Sequence, residues 1–281
     1  METAPGCKTL DPQIDAAITL FTGRVSLFAK NLGTGAFYER NADTRVQTAS
    51  TVKVPIMVEA FAQVAEGKVH WSDTLTLTDA DKQAGAGVLR EFHDGLTLTL
   101  GDAVNLMIVI SDNSATNLVL DHLTSDAVNA RMDALGIPEI RSLNKIGGGA
   151  PSREAAADPE IRKFGIGIAT PRAMACLLER IERGEVVSPE ASKAMIALLK
   201  RQQRHDGIGR DLEGVEIASK PGALDTLRSD VGILYSTRGR IVMAITCDQM
   251  PRPLWTVDNP GFLLMARVSR LLVEGLGDVT A

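Results

Sequence analysis

The chain has 281 residues, 44% of them hydrophobic, and a formal net charge of −5 at pH 7. That length and composition allow one large domain or two that share a boundary. The negative balance argues against a general binder of phosphate backbones, and an aromatic content of 4% argues against a base-stacking platform. In chain order, a helix is expected near Asp11 to Thr22, then a strand from Arg24 to Lys30, a turn at Gly33-Thr34-Gly35 and a returning strand from Ala36 to Arg40. A mainly helical middle runs from about Ser50 to His205. In it, Val54, Met57, Val58 and Phe61 follow the i, i+3, i+4, i+7 stripe of a buried helix. Thr99-x-x-Asp102 reads as a capping box opening a helix through Ile110, and another helix is expected from about Ser114 to Leu123. Strands return at Val215 to Lys220, and Val231 to Tyr235 pairs with Arg240 to Cys247 about a turn at Arg238-Gly239. A helix from Gly261 to Glu274 closes the pattern. Strands at both ends of a helical middle suggest one antiparallel sheet built from both termini.

No apolar run reaches the roughly 18 residues of a membrane span; the longest strongly apolar stretch is Leu106 to Ile110. Met1-Glu2-Thr3-Ala4-Pro5-Gly6-Cys7 has neither the basic start nor the apolar core of a signal peptide. The expectation is therefore a cytosolic protein or a chain from which a leader has been removed. Cys7, Cys176 and Cys247 are odd in number and lack metal-ligand spacing, and Cys176 sits in an apolar run as a buried thiol would. His70, His93, His122 and His205 are scattered singly, as surface or structural residues are, so no zinc site is expected.

Three short motifs carry chemistry: Ser50-Thr51-Val52-Lys53, Ser111-Asp112-Asn113 and Lys220-Pro221-Gly222. A serine beside a lysine in a dry cleft is a nucleophile beside a base. A second Ser-Lys pair supplies a proton relay and a positive field. Each motif also has a plainer reading. Ser-x-x-Lys arises about once by chance in a chain of this length, and Ser142-Leu143-Asn144-Lys145 is a second match here. Ser50 could be a simple N-cap, Ser111-Asp112-Asn113 a polar turn and Lys220-Pro221-Gly222 a strand end. Context favours the first Ser-x-x-Lys: Ser50 opens an apolar helix, which puts Ser50 and Lys53 on one face. Ile108-Val109-Ile110 and Leu118-Val119-Leu120 should hold the second motif firmly between buried helices.

The order of the motifs, with 58 residues from Lys53 to Ser111 and 107 from Asn113 to Lys220, resembles the serine β-lactamase and penicillin-binding protein superfamily, most closely its class A branch. Thr170-Pro171-Arg172-Ala173-Met174-Ala175 looks like the end of that family's Ω-loop, and Asp230-Val231-Gly232-Ile233 like its next strand. The resemblance runs from about Asp15 to Leu272. It implies an α/β (α+β) fold with an antiparallel five-stranded sheet flanked by helices, formed by both termini, plus an inserted all-helical domain. The expected division is 1–47 and 212–281 for the sheet domain, and 48–211 for the helical domain carrying Ser50, Lys53 and the Ser111-Asp112-Asn113 loop.

By the same resemblance Ser50 attacks a carbonyl, Lys53 is its base, Ser111 relays the proton to the leaving group and Lys220 supports Ser111 and an anionic substrate group. Backbone N–H groups of Ser50 and Ala223 would form the oxyanion hole. Asn113 and Gly222 would line the substrate, and Arg228 would hold a carboxylate, its plainer reading being a surface charge. No metal or organic cofactor is implied. A small-molecule substrate (β-lactam, peptide or ester) and a monomer are expected, with no nucleic acid and no membrane span; a periplasmic or secreted location is what the family would suggest.

Departures from the pattern bear on the chemistry. Gly147 falls where class A enzymes carry the glutamate that activates water for deacylation, and the Arg–Asp pair that ties that loop reads here as Lys145 and Gly167. Nothing in the sequence places Glu154 or Glu160 at the water. Pro221 stands where the family has Thr or Ser, removing a hydroxyl that helps bind a carboxylate. Four readings follow: a hydrolase acylated by β-lactams and slow to deacylate, a D-alanyl-D-alanine peptidase, an esterase for small acyl esters, and a catalytically silent binding module.

Overall fold

The computed structural model describes residues 10–149 and 151–277. Cys7 with the rest of the first nine residues, and Ala150 of the glycine-rich run after Lys145, lie outside the described residues. The chain opens with α1 (Asp11–Ile18), β1 (Arg24–Asn31), β2 (Phe37–Arg40) and the short β3 (Val46–Gln47). A 3₁₀ turn, Ala49–Val52, runs directly into α2 (Lys53–Ala65). Next come β4 (Thr74–Leu77), β5 (Leu96–Thr99), α3 (Leu100–Val109), α4 (Asn113–Leu123) and α5 (Ser125–Ala134). The segment β6 (Arg141–Ser142), α6 (Arg153–Ala157), α7 (Pro159–Arg162) and β7 (Gly167–Ala169) leads to α8 (Pro171–Arg183) and α9 (Pro189–Leu199). Three long strands, β8 (Glu216–Leu224), β9 (Leu227–Ser236) and β10 (Gly239–Asp248), precede α10 (Pro260–Leu276).

The main sheet has the order β2-β1-β10-β9-β8 and is antiparallel throughout, so the two ends of the chain build it together. Its strands are buried on both faces, and the period of two divides their side chains between two cores. Leu27, Leu234, Ile241, Met243 and Ile245 pack with Ile14 of α1 and Met265 and Leu272 of α10. Their neighbours Phe28, Ile233, Val242 and Ala244 face the other way, into the core shared with α2, α3, α4 and α8. The expected sheet and helical insertion are both present. The insertion also carries strands: Thr-Leu-Thr-Leu in β4 alternates and pairs with Leu-Thr-Leu-Thr in β5, burying Leu75 and Leu77.

Local chemistry sets the boundaries that matter for the site. Thr99 and Asp102 form the capping box of α3, with Asp102 N donating to Thr99 Oγ1 at 3.0 Å and Thr99 N donating back to Asp102 Oδ2 at 3.2 Å. Asp112 caps α4 by accepting from Ala115 N at 2.9 Å. The first helix is shorter than its pattern suggests, ending at Ile18, and Gly23 at φ +152° turns the chain into β1.

Candidate active site

Ser50 lies in the 3₁₀ turn one residue before the buried Thr51, at the N-terminal end of α2. The turn is anchored on both sides: Thr48 N donates to Gly167 O at 3.0 Å, and Thr51 Oγ1 donates to Thr48 O at 2.8 Å. Ala49 takes a left-handed φ of +46°, uncommon for a residue with a Cβ. Strand β8 approaches this turn so closely that a Cβ on Gly222 would lie 2.9 Å from Thr48 O and 3.0 Å from Ser50 N. Glycine is therefore required where the sheet meets the Ser50 turn. The Ser50 nitrogen thus lies beside Gly222 of β8, and Ala223 follows it on the same strand.

The second serine sits at the hinge between α3 and α4. Ser111 also has a left-handed φ, +60°, which turns its side chain back toward α2. Lys53 donates to Ser111 O at 2.8 Å, Ser111 Oγ at 3.2 Å and Asn113 Oδ1 at 3.0 Å. From the sheet, Lys220 donates to Ser111 Oγ at 2.9 Å and to Pro221 O at 2.8 Å. One hydroxyl oxygen thus joins two fully buried lysines. Among the described residues the Ser50 hydroxyl has no hydrogen bond, so its proton is uncommitted in this resting geometry.

The electrostatics follow from that arrangement. Burial pushes the Lys53 pKa well below its ordinary value, and the charge of Lys220 pushes it further, against the opposing effect of Asp112. Two ammoniums on one oxygen lie at most about 6 Å apart; at an effective dielectric near 20 they repel by roughly 3 kcal/mol, about two pK units. Each charge therefore opposes the other, and both lysines are held below their ordinary values. Burial lowers Lys220 to about 7, against the stabilising charge of Asp230. Asp230 is itself pushed up by burial, and its Oδ1 has no partner.

Side chains of the Ser111-Asp112-Asn113 loop also hold one wall of a cleft of about 560 Å³. Asp112 Oδ2 accepts from Val88 N at 2.6 Å and Leu89 N at 2.9 Å, and a Cβ on Gly87 would overlap it. Asn113 Nδ2 donates to Ala84 O at 2.8 Å, and Asn113 N to Ala86 O at 2.9 Å. Ser50, Ser111, Asn113, Gly222 and Ala223 all line this cleft. A second cavity, of about 500 Å³ beside Arg24, Arg45 and Phe164, contains none of them.

Arg228 reaches the cleft but is fully buried. It donates to Leu224 O, to Leu227 O at 2.7 Å and to Leu254 O at 2.6 Å. Its guanidinium lies between the Trp255 ring, 4.6 Å from the centroid, and the Phe262 ring, at 5.2 Å. Only Nε is left without a partner. Arg204 and Asp206 belong to none of the three motifs, yet both line the cleft. Their segment, Arg204-His205-Asp206-Gly207, is an ordinary charged loop in the sequence; Gln202, whose Oε1 accepts from Arg204 N at 3.1 Å, and Asp230 of β9, whose Oδ2 accepts from Ile208 N at 3.1 Å, hold it at the site.

Gly147 lies on the loop after β6. Asn117 clamps the neighbouring residue at both ends, donating to Ile146 O and accepting from Ile146 N, each at 2.9 Å. Lys145 pairs with Asp121 at 2.5 Å. Gly147 itself has φ +79°, and a Cβ there would overlap Oε1 of Gln83. At Gly167 a Cβ would meet Thr48 Oγ1 at 2.6 Å and Arg141 O at 2.9 Å, so that strand has no room for a side chain. Glu154 pairs with Arg141 at 2.9 Å and Glu160 with Lys163 at 2.5 Å; neither lines the cleft of Ser50.

Ser50 and Ser111 line one cleft, and two buried lysines meet on the Ser111 hydroxyl behind it; this is equipment of the kind a serine hydrolase uses. A family model described as "Beta-lactamase enzyme family" matches residues 9–276, and the chain belongs to that family. A β-lactamase of Rhodobacter capsulatus is 30% identical over 227 residues, covering 77% of this chain and 72% of that one. The crystal structure of a β-lactamase from Sphaerobacter thermophilus superposes with a TM-score of 0.82 at 33% identity, covering 95% and 96% of the two chains. A variant of PBP-A, solved as an acyl-enzyme complex with penicillin G, superposes with a TM-score of 0.82 at 27% identity over 98% of each chain. The protein is a β-lactamase-like serine hydrolase.

Proposed function

We propose that Ser50 is acylated by β-lactams and related amides or esters, and that the β-lactam acyl-enzyme breaks down slowly. The observation that carries this reading is the bridge from Lys53 through Ser111 Oγ to Lys220, at 3.2 and 2.9 Å, facing the cleft of Ser50. Neutral Lys53 takes the Ser50 proton as the hydroxyl attacks; the proton then passes through Ser111 to the leaving nitrogen or oxygen. The N–H groups of Ser50 and Ala223 receive the oxyanion. Asn113 keeps one amide N–H for the acyl chain, since its other groups hold Ala84 and Lys53. No metal or organic cofactor enters the scheme. The proposed division into 1–47 with 212–281 and 48–211 would set the cleft between two lobes, with Lys220 from one bonded to Ser111 of the other.

Slow deacylation rests on Gly147. General-base catalysis is worth about 10²–10⁴-fold, and no carboxylate occupies that place. The PBP-A variant caught with penicillin G supports acylation on this fold. An intact-mass time course with benzylpenicillin, controlled by Ser50→Ala, tests the reading. A persistent adduct absent from the variant is expected. Rapid turnover without an adduct would overturn the slow step, and no adduct with no hydrolysis would overturn the β-lactam assignment.

The likeness to PBP-A over 98% of the chain, together with Gly147, favours a second reading, a D-alanyl-D-alanine peptidase. Penicillin labelling without cleavage of a D-Ala-D-Ala peptide would remove it.

A further inference from the structure

The cleft carries an aromatic side chain that the acyl-transfer scheme does not use. Trp255 lines the same cavity as Ser50 and is 63% exposed. Val257, 57% exposed, lines it as well, and Pro221, Ala223 and Phe262 add further apolar surface. Large apolar side chains left in water inside a concave site normally mark where the apolar part of a ligand goes. The sheet connects this wall to the reaction centre. Gly222 abuts the Ser50 turn, Ala223 follows it on β8 and pairs with Arg228 of β9, and the Trp255 ring lies over the Arg228 guanidinium.

The indole is held in place from several sides. Arg228 donates to Leu254 O at 2.6 Å, and its guanidinium carbon lies 4.6 Å from the Trp255 ring centroid. Trp255 Nε1 donates to Asp225 Oδ1 at 3.1 Å, which ties the ring to the turn between β8 and β9. Asn259 Nδ2 also donates to Leu254 O, at 2.8 Å. Arg210 grips the same segment through Val257 O and, at 2.7 Å, Asp258 Oδ1. Behind the guanidinium, a Cβ on Gly261 would lie 3.2 Å from the Arg228 side chain, so α10 packs directly on it. Arg228 therefore has little left for a carboxylate. Nη1 is committed to Leu224 O and Leu227 O and Nη2 to Leu254 O, while Nε is buried. With Arg228 against one side of the ring, the exposed side is the one offered to the cleft.

We infer that Trp255 determines substrate specificity by stacking on an aromatic ring of the substrate, with Val257 at the edge of the contact and Arg228 acting as the mount of the indole. The inference rests on the acyl-enzyme reading and narrows its substrates to amides or esters that carry an aryl group. An aromatic pair gains about two- to tenfold over the same area of saturated surface. An indole already fixed in position also loses little freedom on binding.

Two matched pairs of compounds test this. Benzylpenicillin and the penicillin with cyclohexylacetyl in place of phenylacetyl differ in the acyl part. The benzyl and cyclohexylmethyl thioesters of acetic acid differ in the departing part. Second-order rates at Ser50 are read by intact mass for the penicillins and by thiol release at low substrate for the thioesters. Wild type is expected to favour the aryl member of at least one pair by about threefold or more. Trp255→Leu, which keeps an apolar side chain, should bring that ratio close to one, and Trp255→Phe should preserve it. A ratio of one for both pairs in wild type, or a preference that survives Trp255→Leu, overturns the inference. Faster labelling of Trp255→Leu than of wild type by both penicillins, but by neither thioester, also overturns it, because the ring would then be a cover over Arg228. If none of the four compounds reacts at Ser50, the acyl-enzyme reading fails instead. Trp255 is then tested alone: Trp71 is the only other tryptophan, so in Trp71→Phe protein the fluorescence reports on Trp255. N-benzylacetamide should quench it at several-fold lower concentration than N-(cyclohexylmethyl)acetamide, and equal binding of the two overturns the inference.

Discussion

The loop at Ser111 and the loop at Gly147 both pack against α4 but are built in opposite ways. The first is dense with committed side chains: Ser111 Oγ joins two lysines, Asp112 holds three backbone N–H groups, and Asn113 spans the cleft wall. The second keeps its backbone clamp, through Asn117, but presents a glycine and a neighbouring amide where water would need a base. The difference is one between the two half-reactions. On the proposed reading, the groups that would place an acyl group on Ser50 are preorganised, and Gly147 offers no side chain to help remove it with water.

The largest expected effect comes from breaking the first loop's partner. Lys53→Met should reduce Ser50 acylation by about 10²–10⁴-fold, read by the rate of adduct formation. The same variant should melt a few degrees higher than wild type, because replacing a buried amine with an apolar side chain of similar length removes its desolvation cost. A loss of thermal stability would mean that the Ser111 and Asn113 bonds outweigh the burial cost.

The second loop gives the next effect. Gly147→Glu alone should leave the adduct lifetime nearly unchanged, because the left-handed φ and Gln83 both oppose the new side chain. Combining it with Gln83→Ala should shorten the lifetime by about 100-fold, read by mass spectrometry. Full rescue by the single substitution would show that Gln83 yields easily.

A smaller effect separates the two lysines by pH. Lys220, lowered to about 7 by burial, is charged below that pH and neutral above it. In the proposed scheme Lys53 acts as a free amine, a form that rising pH favours. Acylation by benzylpenicillin, an anion, should therefore decline by about tenfold above pH 7 as the charged hydrogen bond is lost. A neutral ester should decline less. Gly222→Ala should cost least: acylation should fall a few-fold and stability by about 1–3 kcal/mol, since Thr48 O and Ser50 N must move to admit a methyl group.

Much of this site is legible in the amino-acid sequence. The three motifs name Ser50, Lys53, Ser111 and Lys220, and the Thr99/Asp102 box and strand alternation locate α3 and the sheet, because capping and period-two burial are local rules. What the sequence hides is what the fold brings in from a distance. Arg204 and Asp206 enter the cleft only through Gln202, Asp230 and a glycine with no room for a Cβ. Gln83 faces Gly147 from far upstream in the chain. Arg228 shows its buried, carbonyl-bound guanidinium only once Trp255 and Phe262 close on it. No pattern of spacing records such encounters.

The bond from Lys220 to Ser111 spans 109 residues of sequence, and β1 finds its partner β10 only after nearly the whole chain exists. A ribosome-bound or truncated chain ending before β8 would hold Ser50, Lys53 and Ser111 without the second lysine. On the proposed reading, reactivity should be a late property of folding, arriving with the non-local closure of the sheet. The same delay makes the return of acyl labelling after dilution from denaturant a clock for that closure, and it keeps an activated serine from appearing on an unfinished chain.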